Sequence, residues 1–178
     1  MAKRKTEDRT DYVTDRGIPG FKAAMSRFSA ESETVAVLVG VAMIDRQLGL
    51  LLKSNIEKLS DYSESEIKDL LSPTQNAPLG SIYERSKIAR AFGLIDKNTF
   101  EVIETLRKVR NEHAHYEDGE ELTIEKLQGL YALIDGCEGQ RAKAMTQWPK
   151  SADESMVRRF VFSCLIGDLW VKLRGPEA

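Results

Sequence analysis

The feature that most constrains this chain is an apolar pattern beginning at VAVLVGVAMI, Val35 to Ile44. It continues through Leu48, Leu51, Leu52 and Ile56 without a turn signal. Valine favours strands, but over twenty residues at steps of three and four suit a single helix. The unbroken apolar run is far short of the ~20 residues that cross a bilayer, so the expectation is a core helix and no membrane span. One position breaks the stripe. Leu38, Val41, Asp45, Leu48 and Leu52 follow one another at helical spacing, which sets a carboxylate where a core side chain belongs. A buried unpaired charge is costly, so Asp45 is expected to meet an arginine, a histidine or a set of hydroxyls.

Further helices are punctuated by their caps. Ser63 and Glu66 form a capping box for a short helix ending near Ser72, where Pro73 blocks continuation. SPTQNAPLGS is a loop. From Ser81, SIYERSKIARAFGLI puts Ile82, Arg85, Ile88 or Ala89, and Phe92 on one face, and Gly93 marks the end. Asp96 is an N-cap for NTFEVIETLRKVRNEHAH, and Thr123 caps IEKLQGLYALIDGCEG, which could extend toward Trp148. A last helix runs from about Asp153 to Leu173, with Phe160, Leu165, Leu169 and Leu173 facing inward. No alternating pattern with hairpin turns occurs. The expected fold is all-α: a polar tail over residues 1–20, then one bundle-like domain over 21–178 with five to seven helices.

Charge and cysteine content narrow the function classes. With 26 Lys and Arg against 28 Asp and Glu, the net charge is −2, and a dedicated DNA-binding domain normally carries a basic surplus. Direct DNA binding is therefore disfavoured. Cys137 and Cys164 form no CxxC pair and suit no zinc spacing, which predicts buried reduced thiols. The charged start MAKRKTEDRTDY has no apolar core of a signal peptide, and the expected location is the cytoplasm. Trp148 and Trp170 stand without a repeating aromatic context and read as core or interface residues.

RNEHAH, residues 110–115, concentrates polar chemistry and both histidines of the chain. Ile103 and Leu106 set an apolar stripe that passes, seven residues on, through Arg110 and His113. Asn111 and His115 share a neighbouring face, four residues apart. An arginine on a core stripe calls for a counter-charge. Asp45 is the natural candidate, with Glu84 and Glu104 as competitors. His113, His115 and Glu117 are too dispersed around a helix for a metal site, so neither metal nor cofactor is expected. Arg107, Lys108 and Arg110, with Arg85, Lys87 and Arg90, would form a basic patch if their helices lie side by side; a solvated face with pairs such as Glu104–Lys108 is the plainer expectation. For Arg110, Asn111 and His115 three readings stand: a structural role, a partner- or ligand-binding groove, and a catalytic site.

Asp45, Arg46 and Leu48, then Leu79, Gly80, Ser81, Lys87, Ala89, Gly93, Leu94 and Ile95, then Arg110, Asn111, Ala114 and His115 match a recurring pattern. The pattern is D-R-x-L, LGS-x-x-x-[RK]-x-K-[IL]-A-x-x-x-GLI and RN-x-x-AH. Over roughly residues 35–130 the chain resembles the bacterial mannitol operon repressor (MltR-like) family, departing from it at His113, where an aromatic is usual. The resemblance implies an all-helical regulatory protein that acts on transcription through a protein partner. Arg110-Asn111-x-x-x-His115 also resembles the R-x(4–6)-H motif of HEPN domains, which in ribonucleases face each other across a homodimer. That second resemblance implies RNA as substrate without a metal. His115 would be the general acid or base, Arg110 would stabilise the charged transition state, and Asn111 would position the phosphate. A histidine that titrates near neutrality and a guanidinium fork suit those roles.

Overall fold

The computed structural model describes residues 32–59, 61–73, 77–115, 122–135 and 153–174. Among these the chain is all-helical: α1 Glu33–Leu59, α2 Glu64–Leu71, α3 Ile82–Ala91, α4 Lys97–His115, α5 Ile124–Asp135 and α6 Glu154–Arg174. The expected tail over 1–20, Cys137, Trp148 and any continuation of α5 past Asp135 lie outside the described residues.

α1 is the axis of the bundle, packing against α6, α4, α3 and α2. Its buried stripe is Val37, Val41, Ile44, Leu48 and Leu52, joined by Ala36 and Gln47. Ile44 therefore takes the core position that the pattern gave to Asp45, and Leu38 is only half-buried. By length and composition α1 could cross a membrane, although the charged Asp45, Arg46 and Lys53 lie along it. Here the apolar stripe of α1 is covered by the neighbouring helices.

α1 and α6 pack tightly at Gly40. A Cβ built on Gly40 would stand 2.8 Å from Phe162 Cε1 and 3.1 Å from Ile166 Cγ1. The missing side chain of Gly40 leaves the room that the Phe162 ring occupies against α1. α6 buries Val157, Val161, Phe162, Leu165, Ile166, Leu169 and Leu173. Phe160, expected inward, is 50 % exposed: it lies off the arc that passes through 157, 161, 165 and 169. Cys164 is half-buried rather than buried, and Arg174 stacks on the half-buried Trp170 at 4.8 Å from the ring centroid.

Side chains pin the ends of the helices. Glu33 Oε1 accepts from the Leu122 amide at 3.1 Å while its Oε2 meets Arg158 at 3.3 Å, joining α1, the segment just before α5, and α6. Tyr131 of α5 donates to Asp168 of α6 at 3.0 Å. Capping boxes start α2 at Ser63–Glu66 and α3 at Ser81–Glu84. Gly93, at φ +69°, closes α3 in the left-handed region with its amide on Arg90 O at 3.0 Å. Asp96 Oδ1 then accepts from the Thr99 amide at 2.7 Å and starts α4.

Candidate contact site on helices α1, α3 and α4

The capping box fixes where α3 begins, and so which side chains turn inward: Arg85, Ser86 and Ala89. Arg85 is 6 % exposed. Its Nη1 lies 2.7 Å from Asp45 Oδ1, its Nε donates to Leu79 O at 2.9 Å, and its Nη2 donates to Leu71 O at 2.7 Å. The carboxylate of α1 thus does meet an arginine, but from α3 rather than α4. The reason is phase: on α4 the core face is Thr99, Val102, Ile103, Leu106 and Val109, which places Arg110 one position past the buried arc.

Asp45 keeps part of its surface in solvent, its side chain 31 % exposed. Burial lifts its carboxyl above the usual carboxylate range, and the Arg85 charge and hydrogen bond, then the charge of Arg110, offset only part of that lift. Arg110 itself is exposed and donates from Nη1 to Asn111 Oδ1 at 3.2 Å. It acts on Asp45 through space, not through contact. Glu84, one competitor for an arginine, is held by Ser81 in its capping box. Glu104, the other, pairs with Arg107 at 3.2 Å and accepts from Ser86 Oγ at 3.4 Å, in place of the Glu104–Lys108 pair.

α3 and α4 form a helical hairpin, and their outer faces interleave cations with rings. Lys87 Nζ is 4.6 Å and the Arg107 guanidinium 5.2 Å from the centroid of Tyr83; Arg90 is 4.8 Å from that of Phe100. Each ring face, negative at its centre, attracts the cation laid over it. The hydrogen bond and charge of Tyr83 hold the Lys87 ammonium above its ordinary range. The anticipated basic patch therefore exists without Arg85, which is buried. It runs from Arg90 through Lys87 and Arg107 toward the exposed Lys108 and Arg110. Arg46 is exposed on α1.

The end of α4 is polar and partly closed. His113 is half-buried, with Nδ1 3.3 Å from Thr34 Oγ1 on α1. Its Nε2 and Glu112 Oε2 are buried with no hydrogen-bond partner. The side chain of His115 lies outside the described residues, so Arg110 and Asn111 stand together while the third member of the motif is not placed. Among the described residues no three His, Cys, Asp or Glu side chains gather as metal ligands.

A second feature went unread in the sequence. Between the C-terminal half of α1 and α3 lies a half-open, largely apolar groove of about 700 Å³, walled by residues of α1, α2, α3 and the turn before α4. Phe92, expected to face the core, stands at its margin 68 % exposed. The spacing Leu52–Asn55–Ile56 on α1 and Glu84–Lys87–Ile88 on α3 could have suggested two facing walls, but only once the helices are known to be neighbours.

Compared with protein-family models, with curated proteins and with solved structures, the chain gives no match in any of the three.

Proposed function

We propose that this is a non-enzymatic, cytosolic regulatory protein of the mannitol operon repressor type, acting on transcription through a protein partner. The observation that supports this reading is the outer face of α3 and α4, where Lys87, Arg90 and Arg107 lie against Tyr83 and Phe100 and lead to the exposed Arg110. Arginine and tyrosine are the side chains most enriched where proteins bind one another. A cationic face of this kind suits an acidic partner surface, and a net charge of −2 on the whole chain argues against a duplex as that partner.

The reading is tested by measuring nascent transcription and RNA half-lives side by side after deletion of the gene. Changed synthesis rates at a defined set of transcripts, restored by the wild-type protein but not by a Lys87→Glu, Arg110→Glu double variant, are expected. Unchanged synthesis rates sink it.

One observation favours a second reading, a HEPN-type metal-independent ribonuclease working as a homodimer. Arg110 is exposed, free of any carboxylate contact and hydrogen-bonded to Asn111, which leaves its guanidinium open to a phosphate. RNA incubated with the purified protein in chelator distinguishes the two. Cleavage that disappears in His115→Ala would replace the regulatory reading.

A further inference from the structure

We draw no further inference here: the strongest candidate, the apolar groove between α1 and α3 walled by Leu52, Leu79 and Ile88, carries both Glu84 and Lys87 at its rim, and nothing in the structure shows what covers it.

Discussion

The guanidinium of Arg85 uses all three of its nitrogens inside the protein. Nη1 meets Asp45 Oδ1 at 2.7 Å, Nε meets Leu79 O at 2.9 Å and Nη2 meets Leu71 O at 2.7 Å. One side chain of α3 therefore ties together α1, the end of α2 and the loop between α2 and α3. Leu71 closes α2, whose last carbonyls have no partner within the helix, so the cation also sits where the helix dipole favours it.

Removal of this side chain exposes the asymmetry of a buried pair. Arg85→Ala leaves two carbonyls and a carboxylate without their donor and should cost ~3–5 kcal/mol, the range for breaking a buried ion pair. Asp45→Asn keeps an acceptor facing Nη1 on a partly exposed site, and should cost only ~1–2 kcal/mol. Urea denaturation of the two variants checks the order. Equal losses would mean that the Leu71 and Leu79 carbonyls add nothing.

Arg110→Gln should behave in the opposite way. Its guanidinium is exposed and bonds only its neighbour Asn111, so the stability change should stay within ~0.5 kcal/mol, as for other surface substitutions. A loss comparable to that of Arg85→Ala, measured in the same denaturant series, would place the buried arginine on α4 after all.

These two arginines show what the sequence could and could not convey. The helical class and the caps at Ser63, Asp96 and Thr123 were legible because each depends on residues a few positions apart. That Asp45 needs a partner, an arginine, a histidine or hydroxyls, was also legible, since a carboxylate beside a leucine stripe is anomalous by itself. Which arginine answers it was not, because Arg85 and Arg110 both lie near apolar stripes. Only the packing of α3 on α1 decides between them. A stripe phased from Ile103 and Leu106 alone omits Val102 and Val109; including them turns Arg110 outward. Phe92 and Phe160 were misplaced by a related error: an aromatic side chain near a stripe was counted as part of it. The groove depends on residues from four segments and has no local signature.

Gly40 gives a test of the α1–α6 contact. A methyl at this position would lie 2.8 Å from the Phe162 ring, too close without displacement. Gly40→Ala gains helix propensity of up to ~1 kcal/mol but should lose more through overpacking, commonly ~1–3 kcal/mol. The net expectation is a lower melting temperature. Phe162→Leu should lose stability alone through its vacated volume, yet the double variant should be more stable than the sum of the single losses predicts. Strict additivity in the double-mutant cycle would show that the two residues do not share this contact.

Asp96 sets a pH dependence with a definite sign. Burial pushes its carboxyl upward, but the hydrogen bond from Lys172 at 2.9 Å, those from Thr99 and the Lys172 charge together hold it down at about 2 from 3.8. A carboxylate depressed in the folded state contributes stability that is fully present above the unfolded value. That stability is lost as the pH falls through the folded one, so the window here is from about pH 4 down to about pH 2. The side chain is 55 % exposed, so solvent screening keeps the Lys172 pair at no more than ~1 kcal/mol, with a further ~1 kcal/mol in the cap. Asp96→Asn retains a capping oxygen and removes the charge. It should cost little at pH 7 beyond the lost Lys172 pair, and should lose less stability than the wild type between pH 4 and pH 2. Parallel acid titrations followed by circular dichroism would reveal identical acid sensitivity in the two proteins if Asp96 stays ionised throughout or contributes nothing to folding.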